Sequence, residues 1–519
     1  MSDDVYKLIL LVKIMMLLLI IIAIVIFALI SKLFKNQKIF IIISILSVLF
    51  FYCYLAKNFY HIESFYPTLE NKTYYFCNNF YNLIVDAFKD KKLYIATIDD
   101  YPKLNNIDNI YKDFGKVHRE IKEYKNLLDT SYYKGNFYIY FGLTPVLLFY
   151  LPFNLITNLY LTDKFIVLIL ACLSFLLSLL LLKKITTSLN FNIQKPIVIL
   201  SIFTIGLCNY LPFFLLRSSI YEVAILTANI FLLFSFLLLY FYLQTTKTNK
   251  QYFFLLLISV CLSLSVGARP FYVLHIPLFF VLILIFKYNQ DKNIKAILKT
   301  FFIFIIPCIL YGTILALYNY LRFDSIFEFG FKYTLNFENH FEQSPTLKDS
   351  LLSIKYCLFQ LPDLSDTTIF SLAQSFGHSF GNEAVVGILW AFPLVLSFAF
   401  LPQFLSNTAK KNKHVFYIII LMLSVAIINL FITSFVGMII RYLFEYMSLI
   451  VIISLILFYY LYNNEKNKLL KKTLNIYFVL LFIYSSFMII SCLFCERYSL
   501  YYVKTSADNY LHLIDFLFG

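Results

Sequence analysis

The chain has 519 residues, of which 61% are hydrophobic and only 14% charged, with a mean hydropathy of +0.78. No water-soluble fold needs so much apolar surface, so the composition excludes a soluble enzyme or binding domain and leaves an all-α polytopic membrane protein. Lys and Arg number 43 against 29 Asp and Glu, a formal charge of +14; here that excess is explained by cytoplasmic loops that hold orientation, and nucleic acid is not an expected partner.

The acidic start (Asp3, Asp4) precedes an apolar run at 8–31, a basic turn at 32–38 and a second run at 39–56. The first run is too long for a cleavable leader, and no small-residue cleavage site follows it. Two basic residues or more in the short turn place it in the cytoplasm, which puts the following polar region, 57–135, outside. That region is too rich in aromatics to be disordered and has helical patches at 80–88 and 117–128.

Residues 129–152 read DTSYYKGNFYIYFGLTPVLLFYLP. Gly135 can supply the positive φ of a turn at 134–136, Gly142 breaks the aromatic run, and Pro145 fits the first turn of a short apolar helix. The Lys-rich turns at 183–184, 245–251, 289–299, 407–414 and 463–472 share one side of the membrane only if 137–160 does not cross it. The segment is therefore expected to lie on the outer face as an interfacial helix.

Spans follow near 165–182, 196–215, 221–243, 252–267, 271–287, 300–319, 385–406, 415–436, 441–462 and 473–493, about twelve in all with the first two. The chain then divides into two N-terminal spans (1–56), an outer loop with interfacial helices (57–164), a bundle (165–320), a second outer loop (321–384), C-terminal spans (385–493) and an outer tail (494–519). The polar chemistry gathers on the outer face.

Four arginines sit where an apolar segment meets that face: Arg217, Arg269, Arg322 and Arg441. A guanidinium there is costly unless paired or wet, and it grips phosphate in a bidentate manner. Glu222 follows Arg217, and Glu445 lies one helical turn after Arg441. Together they suit an anionic lipid head group. Sugar transfer to a hydroxyl needs a carboxylate base in reach of the acceptor. Glu63 and Glu70, just past the second span, and Asp86 are the candidates; Asp129, Tyr132, Tyr140 and His378 are candidate substrate contacts. The nine cysteines have no zinc-site spacing, so no metal ligand set is expected, and a divalent cation is left open.

The segment 129–163 resembles a motif of bacterial multi-span glycosyltransferases of the GT-C type, which use polyprenyl-phosphate sugars. RSSIYEVAI (217–225), GARPFYVL (267–274), NYLRFDSIFEFGFKY (319–333) and RYLFEYMSLI (441–450) resemble the same group. The resemblance implies 11–13 helices with a long first outer loop, a polyprenyl-phosphate donor, a glycan, glycolipid or protein acceptor, and residence in the bacterial inner (plasma) membrane. The acid such enzymes carry early in the first outer loop falls near Asn78 here, so either Glu70, Glu63 or Asp86 takes its place or the catalytic acid has been lost or moved. Two other classes stay in view. A transporter of lipid-linked sugars would bury paired charges in mid-span, and few are found. An O-antigen polymerase or ligase would carry several arginines in its large outer loop, and 321–384 has Arg322 alone.

Overall fold

The computed structural model describes residues 18–33, 37–58, 80–102, 104, 110–111, 127, 129–335, 346–361, 386–436 and 440–492. It is a mostly helical membrane protein with a small sheet, where an all-α fold was expected. Among the described residues nine helices are long and apolar enough to cross a bilayer. Helices are what such runs must form, because lipid offers no partner to an open backbone N–H or C=O. The chain divides into two compact bodies, one from Met1–Phe59, Ala171–Leu216 and Pro345–Gly519, the other from Tyr60–Leu170 and Arg217–Ser344.

The first body contains α1 (Leu18–Ile30) and α2 (Gln37–Asn58). In chain order the second body then supplies α3 (Phe80–Lys89), the strands β1 (Ala96–Thr97), β2 (Ser131–Tyr133) and β3 (Asn136–Tyr138), and the short helix α4 (Leu143–Thr157). α5 (Asp163–Ser188) begins in the second body and ends in the first, which continues with α6 (Lys195–Leu207) and α7 (Leu211–Arg217). α8 (Ile220–Gln244), α9 (Thr248–Ala268), α10 (His275–Asp291) and α11 (Ile294–Phe323) complete the second body. α12 (Leu347–Phe359), α13 (Ile388–Ala391), α14 (Leu401–Lys411), α15 (Lys413–Val436), α16 (Ile440–Asn464) and α17 (Lys468–Cys492) complete the first.

Two expected spans are not single helices. The run at 196–215 breaks after α6, where Tyr210 takes a φ of +64° and Asn209 Oδ1 caps the Leu211 amide at 3.1 Å. Pro212, which has no N–H to continue the ladder, follows at once. The run at 385–406 breaks at Phe392-Pro393 into a tight 3₁₀ stretch, Pro393–Phe400, and resumes as α14 with Pro402 in its first turn. Hydropathy counts apolar residues; it does not register a missing amide. Residues 8–17 of the 8–31 run lie outside the described residues.

In the second body β3 is the centre of a three-stranded antiparallel sheet, ordered β1-β3-β2. Lys134 (φ +47°) and Gly135 (φ +82°) make its hairpin turn, both in the left-handed region that a two-residue type I′ loop requires. Leu104, Ile110, Leu127, Phe137 and Leu335 form a small core with the sheet. α4 follows Gly142 and contains one wide π turn, Val146–Tyr150. At 15 residues it is about 22 Å long, short of the roughly 30 Å hydrocarbon thickness.

Candidate functional site

Four of the five motif segments lie in the second body, and they touch one another. The hairpin segment is tied to the chain that follows α11. Ser131 Oγ donates to the Gly330 carbonyl at 2.7 Å, Leu335 N to Thr130 O at 2.7 Å, and Asp129 N to Leu335 O at 2.9 Å. At the hairpin tip Lys134 Nζ pairs with Asp324 at 2.6 Å and Tyr133 donates to the same carboxylate at 3.0 Å. The segment at the start of α8 joins from another direction: the Tyr221 hydroxyl donates to Asp129 Oδ2, and its ring meets Phe141 edge-on at 5.0 Å.

The glycines of two further segments bring backbones together. A Cβ on Gly142 would sit 2.3 Å from the Gly267 carbonyl oxygen and 2.4 Å from that of Ala268. Only a residue without a side chain permits that approach. Thr144 Oγ1 then donates to Leu264 O at 2.8 Å and lies 2.6 Å from the Tyr311 hydroxyl. The start of α4 is thus fastened to the end of α9, and Arg269, which caps α9 through its amide to Ser265 O at 2.9 Å, is held beside it.

α3 lies against α4 and the turn after it. One row of α3 is a clamp on that turn: Asn82 Nδ2 donates to Leu161 O at 2.8 Å, the Tyr160 hydroxyl reaches the two Asp86 oxygens at 2.7 and 2.8 Å, and Lys89 Nζ donates to Asn154 Oδ1 at 3.2 Å. These positions are three and four apart and share a helix face. Burial raises the Asp86 carboxyl above its usual range, with the Tyr160 hydrogen bond opposing. Next to this row, Tyr81 packs its ring 5.0 Å from that of Tyr150, whose hydroxyl donates to Asp163 Oδ1.

Among the described residues, the buried polar atoms here without a hydrogen-bond partner include Asp163 Oδ2 and the Tyr81 hydroxyl. Asp163 is 4% exposed and Tyr81 fully buried. Leaving such a group unsatisfied costs about 1–3 kcal/mol, more for a charge, so an unfilled acceptor in a buried polar cluster calls for a partner, be it water, an ion or a ligand. The charges around it are mixed. Glu222 is an electrostatic neighbour of Asp163. Burial first, and then Asp163, push the Tyr81 hydroxyl well above its ordinary value, while the Arg269 guanidinium pulls it down. Glu222 is itself buried in the first turn of α8, where Oε2 accepts from the Ser219 amide at 3.0 Å and from its hydroxyl.

Asp129, Glu222 and Arg269 belong to this connected region. Tyr140 stacks on Phe141 at 4.3 Å at its edge, and Tyr132 packs on Phe137 at 5.0 Å in the hairpin core. Asp86 is engaged by the clamp. Arg322 is buried and spends its guanidinium inside the protein: Nη1 donates to Ile139 O at 2.8 Å, Nη2 to Asn319 Oδ1 at 3.0 Å and Nε to Tyr318 O at 3.3 Å, with the Tyr318 ring 3.7 Å beneath. It acts as a pin between α11 and the strand end. Arg217 ends α7, and its side chain lies outside the described residues, as do Glu63, Glu70, Asn78 and His378. Arg441 and Glu445 are in the first body, both buried on α16, with Asn429 Nδ2 donating to Glu445 O at 2.9 Å. Among the described residues no group of three or more His, Cys, Asp or Glu side chains could hold a metal ion.

Asp163 was missed. An acid at the head of an apolar span reads as a helix-start residue, favoured there by the macrodipole. The signal available was its place as the last residue of the 129–163 segment.

No family model and no curated protein matches the sequence. Among solved structures the chain is similar to the Archaeoglobus fulgidus oligosaccharyltransferase tethered to an acceptor peptide, with a TM-score of 0.47 and 13% identity, covering 89% of this chain and 56% of that one. It is similar to the apo form of that enzyme, with a TM-score of 0.45 and 13% identity, covering 86% and 56%. It is also similar to ArnT of Cupriavidus metallidurans bound to undecaprenyl phosphate, with a TM-score of 0.41 and 7% identity, covering 91% and 77%. The chain matches a little over half the length of the oligosaccharyltransferase.

Proposed function

We propose that this chain is a membrane glycosyltransferase that moves a sugar from a polyprenyl-phosphate donor to a hydroxyl of a glycolipid, glycan or protein, on the outer face of a bacterial inner membrane. The observation that carries the reading is the unfilled oxygen of Asp163, buried in the same cluster as Arg269, in the region where the four motif segments meet. A buried carboxyl group and a guanidinium that both act on the Tyr81 hydroxyl suit a reaction in which one group gains a proton while another gains negative charge.

The chemistry follows directly. The acceptor oxygen attacks the anomeric carbon in line, the bond from that carbon to the phosphate oxygen breaks, and polyprenyl phosphate departs with the electron pair. Asp163 takes the hydroxyl proton through Oδ2, while Tyr150 holds Oδ1 and so fixes the carboxylate. Arg269 offers its charge to the phosphate as its negative charge grows. Glu222 and the Asp129–Tyr221 pair line the same region and orient the sugar hydroxyls. In-line attack inverts the anomeric carbon. Transfer needs no nucleotide, since the leaving phosphate is already on the donor. Glu63, Glu70 and His378 from the outer loops, and Arg217, Arg441 and Glu445, remain proposed contacts to acceptor or donor, and a divalent cation could assist the phosphate.

The test is chemical. Purified protein in liposomes, given a pool of polyprenyl-phosphate sugars and an envelope-lipid acceptor extract, should release free polyprenyl phosphate. No release, together with movement of the intact lipid-linked sugar across the bilayer, would replace this reading with a transporter.

A further inference from the structure

The turn after α11 holds apolar side chains away from the protein. α11 presents an outward stripe of Ile306, Leu310, Ile314, Leu317 and Leu321, all exposed, and it is one of the helices fit to span a bilayer. Spacings of three and four put these residues on one face, and lipid is what covers it. Asp324 ends the helix in the left-handed region (φ +54°), its amide donating to Tyr320 O at 2.9 Å. Two residues later come Ile326 and Phe327, 47% and 83% exposed.

This turn is held in shape. Asn319 Nδ2 donates to Ile326 O at 3.3 Å, the Gly330 amide to Glu328 Oε1 at 2.6 Å, and Gly330 is fixed in turn by Ser131. An ordered backbone that aims a phenylalanine outward points to an interaction surface. The flanks of the turn are polar: Asp324, paired with Lys134, and Lys332 are exposed. An apolar tip between charged shoulders, continuous with a lipid-facing helix face, matches the membrane–water boundary.

We propose that Ile326 and Phe327 seat in the bilayer at the level of the head groups and upper acyl chains, in the leaflet that the C-terminal end of α11 reaches. The partner is lipid. The seat would fix the depth of the 324–335 segment, which is hydrogen-bonded to the hairpin that carries Asp129. The inference stands apart from the proposed glycosyl transfer, since it concerns where the turn lies and not what the site does.

The natural chain has one tryptophan, Trp390, so the emission of Phe327→Trp minus that of the wild type isolates position 327. In nanodiscs of phosphatidylglycerol and phosphatidylcholine, lipids brominated near the ester end of the acyl chain should remove most of that emission. Lipids brominated near the methyl end should remove less. Ile326→Trp should behave the same way and serves if the first variant folds poorly. Emission like that of tryptophan in water, unquenched by either lipid, would overturn the proposal. So would a dry but unquenched tryptophan whose signal depends on protein concentration, because that places a second copy over the tip.

Discussion

Gly142→Ala is the sharpest structural perturbation, because the clash it creates is with backbone. Gly142 has φ −58° and ψ 147°, which alanine adopts freely, so backbone strain is not involved. The new Cβ would lie 2.3 Å from the Gly267 carbonyl oxygen, and ordinary contact begins at 3.4 Å. The α4 start and the α9 end must therefore part by about 1 Å, the difference of those two distances. Forcing one carbon into a packed contact costs about 1–3 kcal/mol. The same shift moves Arg269 relative to Asp163, and a misplacement of about 1 Å can cost on the order of 100-fold in rate. The matched control is Gly312→Ala in α11, where an added Cβ meets nothing within 4 Å. There the substitution should gain about 0.5–1 kcal/mol of helix stability. Thermal unfolding in one detergent and release of polyprenyl phosphate in liposomes would be read for both. Gly142→Ala matching Gly312→Ala in both assays would refute the close approach and the positioning role drawn from it.

Asp163→Asn should fold normally and lose about 100- to 10,000-fold in release of polyprenyl phosphate, as removal of a general base does, whereas unchanged turnover would move the base elsewhere. Arg322→Met should lower stability by at least about 1.5–3 kcal/mol, the worth of a hydrogen bond from a charged group, and leave donor binding by the folded fraction unchanged. A lost donor affinity at full stability would assign Arg322 to the substrate instead. Asp86 bears on pH. Burial raises its carboxyl, so the folded chain holds that proton more tightly than the unfolded chain. Asp86 therefore subtracts stability fully above its folded pKa; the loss fades as pH falls through that value and is gone below the unfolded pKa. Asp86→Asn should raise the unfolding temperature more at pH 7 than at pH 4; an equal shift at both would show that the carboxylate is not penalised by its surroundings.

Much of the fold was legible because lipid imposes a simple rule on sequence. Long apolar runs had to become helices, and among the described residues nine are long and apolar enough to cross a bilayer. The hairpin turn was legible in Lys134-Gly135-Asn136, and 80–88, read as a helical patch, is the helix Phe80–Lys89. The breaks at 208–210 and 392–393 were not, since a window of hydropathy averages over the proline that causes them. The site was legible in pieces. Asp129, Glu222 and Arg269 were singled out one by one, and the structure supplies what joins them: the Gly142–Gly267 approach and the Tyr221–Asp129 bond. Neither has a sequence signature, because each depends on residues about 90 to 125 apart meeting in space. Arg322 looked like the other arginines because burial among carbonyl oxygens cannot be read from its neighbours in the chain. Asp163 looked like a helix start, and its burial beside Tyr150 with one oxygen unfilled shows only in three dimensions.

The most direct measurement is an electron cryo-microscopy map of the protein in nanodiscs with bound polyprenyl phosphate. The expected result is phosphate density against the Arg269 guanidinium, with Asp163 Oδ2 facing the space beside it. Phosphate resting elsewhere, with Arg269 and Asp163 shut away from it, would contradict a reaction centre built from those motif segments.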